Sequence, residues 1–204
     1  MRIVILDGYA LNPGDLSYDC LKQFGTLKVY DRTLPEQLIE RAKDADAVLT
    51  NKVVLGETEF AQLPRLRYIG VQATGYNVID VEAARRHGIT VTNIPAYSTD
   101  SVAQMVIAHL LNITQSVGYY ARENCTGRWG SNPDFCYWDN PLIELAGKQM
   151  GIVGFGRTGS AVARLATAFG MKVAVYTSKL QSALPEGVEK MELDALFATS
   201  DVVS

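Results

Sequence analysis

Short apolar runs alternate with helix-length mixtures of apolar and polar residues along the first half of the chain. Residues 3–6, 27–30, 47–50, 68–71 and 90–93 read as strands. Residues 15–24 read as a helix closed by Gly25, which tolerates a left-handed cap, and residues 35–45 as one opened by Pro35. A third helix spans 81–87 and ends at Gly88. Strands joined by crossover helices predict a parallel α/β unit. From Ser101 to about Tyr120, Val102, Met105, Val106, Ala108, Leu110, Ile113 and Val117 surround most of a helix. That pattern predicts a helix buried on several sides, bridging two domains after the Pro95-Ala96-Tyr97-Ser98 turn. Residues 124–140, rich in Gly, Asn, Asp and aromatics without a period, read as a loop. Beyond them come a strand (149–153), a helix (160–169), a strand (171–176), a short helix (193–198) and a final strand from Asp201. The boundary falls between residues 1–98 and 99–204.

Charge removes some functions from consideration. With 19 Lys+Arg against 22 Asp+Glu, a net charge of −3 and no basic run, the chain carries no footprint for nucleic acid or an anionic membrane. The longest apolar stretch, 102–111, is interrupted by Gln104 and His109 and falls short of the roughly 20 residues a bilayer span needs. Residues 1–7 reach Asp7 after four apolar residues, which reads as the first strand of a cytoplasmic protein rather than a signal peptide. Cys20, Cys125 and Cys136 form no CxxC pair, so neither a disulfide framework nor a metal site is expected.

The sharpest chemical signal is Gly154-Phe155-Gly156-Arg157-Thr158-Gly159, set between a strand and a helix. The first glycine permits the turn, the second lets backbone approach a pyrophosphate, and the third lets the helix pack on the strand. The pyrophosphate then sits at the positive end of the helix. About 20 residues on, a NAD site places an acid for the ribose 2′-hydroxyl. This chain has Thr177-Ser178-Lys179 instead. Two hydroxyls and an ammonium suit a 2′-phosphate, which favours NADP over NAD; the alternative is that Lys179 is a solvated loop residue.

Several segments together resemble the D-isomer-specific 2-hydroxyacid dehydrogenases: Thr50-Asn51-Lys52-Val53-Val54, residues 73–80, residues 91–98, Ser101-Val102-Ala103-Gln104 and residues 145–159. The wording at Asn51-Lys52 and Thr74-Gly75-Tyr76-Asn77 is most similar to the glycerate dehydrogenase / hydroxypyruvate reductase branch. The resemblance implies a flavodoxin-like substrate domain followed by a Rossmann dinucleotide domain, incomplete in this chain, with the active site in the cleft between them. It implies hydride transfer between NAD or NADP and C2 of a 2-oxo or 2-hydroxy acid. Thr74 and Gly75 would offer N–H groups to the substrate carboxylate, Lys52 and Val53 would line the same pocket, and Asn77 would hold the loop. Val102 would touch the nicotinamide, Gly154 to Gly159 the pyrophosphate, and Thr177, Ser178 and Lys179 the adenosine ribose or its phosphate. For Asn77 and Val102, a turn cap and a core position are the structural alternatives. A homodimer is also implied.

Reduction of a 2-oxo acid further needs a cation to orient the substrate and an acid to protonate the developing alkoxide. The resemblance implies an Arg, a Glu and a His for this, in sequence following Ser204. His87, at a helix end, and His109, on the long helix, occupy other positions. The 204 residues are therefore expected to be the front portion of a longer enzyme, inactive alone. The competing classes are a non-catalytic NAD(H)-responsive interaction protein of the corepressor kind and a dehydrogenase for another 2-oxo acid such as glyoxylate.

Overall fold

Five short strands pair in parallel at the start of the chain: β1 (Arg2–Ile5), β2 (Thr26–Val29), β3 (Ala47–Thr50), β4 (Tyr68–Val71) and β5 (Thr90–Thr92). Their order is β2-β1-β3-β4-β5, the flavodoxin-like arrangement, with register set by pairs such as Ile3↔Ala47 and Ala47↔Tyr68. The computed structural model describes all residues, 1–204, and divides into two units, Met1–Tyr97 and Ser98–Ser204. Helices α1 (Pro35–Ala42), α2 (Glu57–Phe60) and α3 (Val81–Arg86) complete the first. Leu38 and Ala42 of α1, Phe60 of α2 and Ala83 and Ala84 of α3 pack with Val4, Leu6, Val48 and Ile69 into one buried cluster.

Residues 15–24 do not form the expected α-helix; only a 3-10 turn, Asp19–Phe24, is present. The cause is local competition for the backbone. Asn12 Oδ1 accepts from the N–H groups of Gly14 and Leu16, and Ser17 Oγ accepts from Asp19 N–H. By contrast, α3 has a good start: Asp80 Oδ1 accepts from Ala83 N–H at 2.9 Å. Asp80→Ala is expected to cost about 1 kcal/mol while Asp80→Ser retains most of the stability; urea unfolding midpoints of the two variants check this.

The second unit contains α4 (Thr99–Gln115), α5 (Val117–Cys125), α6 (Arg128–Ser131), β6 (Gln149–Val153), α7 (Arg157–Ala168), β7 (Lys172–Tyr176), β8 (Val188–Lys190), α8 (Leu193–Thr199) and β9 (Val202–Val203). All four strands are parallel in the order β8-β7-β6-β9. Counted within the unit this is 3-2-1-4, the leading part of the Rossmann order 3-2-1-4-5-6. Asp201 ties β9 to β6 by accepting from Gln149 N–H at 2.8 Å, and that bond holds its carboxyl below the usual range. Helix α4 packs on α7.

Three expectations change here. The long helix breaks at Ser116, which adopts a left-handed φ of 51°. Ile143 N–H takes the Thr114 carbonyl, and Asn112 Oδ1 takes Gly118 N–H, so both sides of the break are satisfied without a continuous helix. Helix α4 belongs to the second unit and buries one stripe, Ala103, Ile107, Leu110 and Thr114, while Met105 and Ile113 stay exposed. It is not buried on several sides. Residues 124–140 include the end of α5 and the short α6. Their order comes from polar and aromatic contacts. Arg128 pairs with Asp139 and Glu123, its guanidinium lies 4.5 Å from the Tyr137 ring centre, and it holds the Asp139 carboxyl well below the usual range.

Candidate functional site

Beyond β6 the chain must turn sharply into α7, and the three glycines there are required for three different reasons. Gly154 sits at φ +95°, and its N–H donates to Tyr176 O at 2.9 Å, joining the turn to the end of β7. Gly156 caps α7 in extended backbone, and a Cβ built on it would meet nothing within 4 Å. A Cβ on Gly159 would lie 2.1 Å from the Gly154 carbonyl oxygen. The first glycine sets conformation, the second leaves an open approach, and the third allows helix and turn to touch. Ser160 N–H makes the first intrahelical bond, to Gly156 O. The N–H groups of Arg157, Thr158 and Gly159 precede it in the first turn, where helix geometry supplies no acceptor.

This open approach fits an anion, because the helix dipole and free N–H groups converge on it. A depression of about 440 Å³ lies over Gly154, Gly156, Arg157, Thr158 and Gly159, and one of about 430 Å³ runs from Gly154 and Gly156 to Thr177, Ser178 and Lys179. The two share Val153, Gly154 and Gly156. Phe155 is only 4% exposed and belongs to the core, so its backbone rather than its ring is available to a ligand. Lys179 Nζ lies 5.3 Å from that ring's centre, and Thr177 Oγ1 accepts from Lys179 N–H at 3.3 Å. Val102, on the first turn of α4, is 43% exposed and lines neither depression.

In the first unit, the chemistry-bearing loops follow the C-terminal ends of β3 and β4. Asp7, 5% exposed, organises them from the end of β1. Its carboxylate accepts from Asn51 N–H at 2.9 and 3.1 Å and from Lys52 N–H at 2.6 Å. Asn51 Nδ2 donates to Gln72 O at 2.9 Å, and Gln72 N–H donates to Thr50 O at 2.8 Å, linking the two loops. Thr50 Oγ1 takes Val53 N–H at 3.0 Å. Lys52 is exposed and Val53 half-buried. The second loop is held by Thr74 Oγ1 donating to Ile94 O and by Asn93 Nδ2 donating to Thr74 O. Those bonds leave Gly75 N–H at an exposed tip, with Asn77 Oδ1 3.4 Å from where a Gly75 Cβ would stand. Behind the loops, burial raises the Tyr18 hydroxyl's pKa, keeping it a donor to Gly8 O at 3.3 Å.

Lys52 and Val53 line a depression with Asp7 and Leu38 that Thr74, Gly75 and Asn77 do not line, although the Asn51–Gln72 bond joins the two loops; residues 154–159 and 177–179 lie on one surface of the other unit. Sequence reasoning missed Asp7 and Lys190. The position of Asp7 at the end of the first strand was the available signal for one. The alternating Val188-Glu189-Lys190 after a Pro-Glu-Gly turn was the signal for the other. The two histidines are elsewhere: His87 Nε2 pairs with Glu57 at 2.7 Å, holding that carboxyl low together with Arg86, and His109 is exposed on α4. No group of three metal-binding side chains gathers, and no helix is long and apolar enough to cross a membrane.

Residues 3–202 match the family described as D-isomer specific 2-hydroxyacid dehydrogenase, catalytic domain. A hydroxypyruvate reductase of Blautia hydrogenotrophica is 50% identical over 208 aligned residues, covering 100% of this chain and 65% of the relative. A glycerate dehydrogenase of Methylorubrum extorquens is 32% identical, covering 100% and 62%. Among solved structures, an acyclic imino acid reductase in complex with NADPH and D-Arg superimposes with a TM-score of 0.76 at 25% identity, covering 100% of this chain and 64% of that one. The chain therefore spans just under two thirds of the length of these relatives.

Proposed function

The chain belongs to the D-isomer-specific 2-hydroxyacid dehydrogenase family, and from that membership we propose that the protein transfers a hydride between NADPH and C2 of a small 2-oxo acid, with hydroxypyruvate and D-glycerate as the pair. The observation that carries the reading is the turn between β6 and α7, where an open Cβ site at Gly156 faces unpaired N–H groups at the start of a 12-residue helix. The 50% identity to a hydroxypyruvate reductase supports the substrate. The reductase solved with NADPH supports the cofactor class.

When bound, the nicotinamide supplies the hydride. Residues of this chain bind and orient. In this reading the first-turn N–H groups of α7 hold the pyrophosphate, while Thr177, Ser178 and Lys179 receive the ribose end and Val102 stands near the nicotinamide. An acid at the tip of β7 would repel a 2′-phosphate; Lys179 attracts one, which is why NADPH is preferred to NADH. The residues 1–98 form the substrate-binding part and 99–204 the dinucleotide-binding part. Gly75 N–H, with Thr74, meets the substrate carboxylate, and Lys52 adds a positive charge beside it, since exposed loop amides and an ammonium both favour an anion. His87, paired with Glu57 at the end of α3, lines neither depression and stands apart from the loops proposed to hold substrate. The Arg, Glu and His implied by resemblance have no counterpart in the matched motifs, and residues 1–204 alone are proposed to bind without turnover. Pairing of two copies is proposed through the second unit, where Ile113, Phe135 and Trp138 are 74%, 88% and 74% exposed.

The intact protein mixed with NADPH and hydroxypyruvate is expected to lose the reduced-cofactor absorbance, with kcat/KM about tenfold above that for NADH, the factor one 1.4 kcal/mol contact supplies. Absence of oxidation with both dinucleotides would overturn the enzyme reading.

A further inference from the structure

The 177–179 loop, which lines the ribose end of the dinucleotide groove, is met from behind its own residues by a second ammonium. Strand β8 pairs with β7 in a register that sets Lys190 opposite Val175, two residues before Thr177. From there Lys190 Nζ reaches the Lys179 carbonyl at 2.8 Å. A second side chain closes the same joint. Gln181 Nε2 donates to Val188 O at 2.9 Å, and Gln181 Oε1 accepts from Lys190 N–H at 2.7 Å. Three hydrogen bonds thus fasten the 177–181 loop to β8 from one side.

The chemistry of this latch is lopsided. Neither Lys179 nor Lys190 has a carboxylate within salt-bridge distance, although nine ion pairs occur elsewhere in the chain. Lys190 is half-buried, so its stem is held, while its ammonium has three donors and one neutral carbonyl to satisfy them. The Lys179 loop and the strand latched to it therefore carry two ammonium groups without a counter-ion. A dianionic group such as a 2′-phosphate accepts charge-assisted bonds from both at once, and such bonds are stronger than the bond to a carbonyl.

We propose that Lys190 is a second specificity-determining cation for the 2′-phosphate of NADPH, and that Gln181 is a positioning residue that holds the 177–181 loop and Lys190 in register. This rests on the NADPH reading above and adds to it a residue on a strand outside the glycine-rich turn and the loop after β7.

Calorimetric titration of the intact protein with 2′,5′-ADP and with 5′-AMP separates the two. The wild type is expected to prefer 2′,5′-ADP by about tenfold or more. Lys190→Gln, which removes the charge and keeps a donor for the Lys179 carbonyl, is expected to lose about five- to tenfold of that preference with the 5′-AMP affinity unchanged. Lys190→Arg is expected to restore it. Gln181→Ala is expected to weaken 2′,5′-ADP through the loop, with a lesser effect on 5′-AMP. A wild type without preference overturns this inference together with the NADPH reading. A wild-type preference that survives in Lys190→Gln overturns this inference alone. Equal weakening of both ligands in Lys190→Gln makes the lysine a structural latch only, and also overturns it.

Discussion

Gly159→Ala is expected to destabilise the second unit by on the order of 3 kcal/mol and to abolish dinucleotide binding, the largest effect of any single methyl group at this turn. The added Cβ would lie 2.1 Å from the Gly154 carbonyl oxygen and 3.2 Å from Ile152 Cγ2. Neither neighbour can yield freely. Gly154 is fixed by its bond to Tyr176 O, and Ile152 is a buried residue of the central strand β6. Helix α7 would have to lift, and with it Ala161, Val162, Ala163 and Ala166, which pack into the core. Lifting the helix also moves the first-turn N–H groups away from the place where a pyrophosphate would meet them. Gly156→Ala is the control, because its Cβ meets nothing within 4 Å and its φ of −84° suits any residue. That variant is expected to unfold within about 0.5 kcal/mol of the wild type, as surface changes do, yet to bind dinucleotide poorly. Urea unfolding and dinucleotide titration of both variants check the pair; equal stability of Gly159→Ala and wild type would refute the packing account.

These two glycines also show what a sequence displays and what it hides. The spacing of Gly154, Gly156 and Gly159 between an apolar strand and an amphipathic helix was legible because each position answers to a local constraint within one turn. Most of the parallel strands were legible for the same reason: each is a short apolar run that stands out within its own few residues. Elements whose order depends on a distant partner were not. Strand β8 has one apolar residue in three and exists because it pairs with β7, so its faint pattern could not place Lys190 beside the 177–181 loop without the register. The break at Ser116 depends on Ile143, 27 positions on, taking a helix carbonyl. Residues 15–24 have helix-like composition, but Asn12 and Ser17 offer the backbone nearer partners. The substrate-side loops fell between these cases. Lys52 and Gly75 stood out by wording, whereas the support of the Lys52 loop, a buried carboxylate 44 positions before Asn51 and 45 before Lys52, required the β1-β3 pairing to bring it into place.

Asp7→Ala is accordingly expected to cost about 2–4 kcal/mol and to disorganise the loop after β3, a larger effect than its single formal charge suggests. The carboxylate is the acceptor for two backbone N–H groups, Asn51 and Lys52, in a site from which water is nearly excluded. Alanine leaves both donors unpaired, and each unpaired buried donor costs roughly 1–3 kcal/mol. Asp7→Asn keeps one acceptor oxygen but turns an NH₂ toward one of the donors, so it is expected to fall between alanine and wild type. The functional consequence separates the two units. Lys52 and Val53 move when their backbone is released, and the Asn51 side chain then no longer ties this loop to Gln72 and the Thr74–Gly75 loop. For the intact protein with the proposed substrate, hydroxypyruvate, KM is expected to rise by about tenfold or more, the factor that about 1.4 kcal/mol of lost binding produces. Affinity for the dinucleotide is expected to stay at the wild-type value, because every residue proposed to hold it belongs to the other unit. Unfolding midpoints, substrate KM and dinucleotide titration, measured on one preparation each of Asp7→Ala and Asp7→Asn, test this. A parallel loss of both affinities would show that Asp7 supports the whole protein rather than the substrate loops.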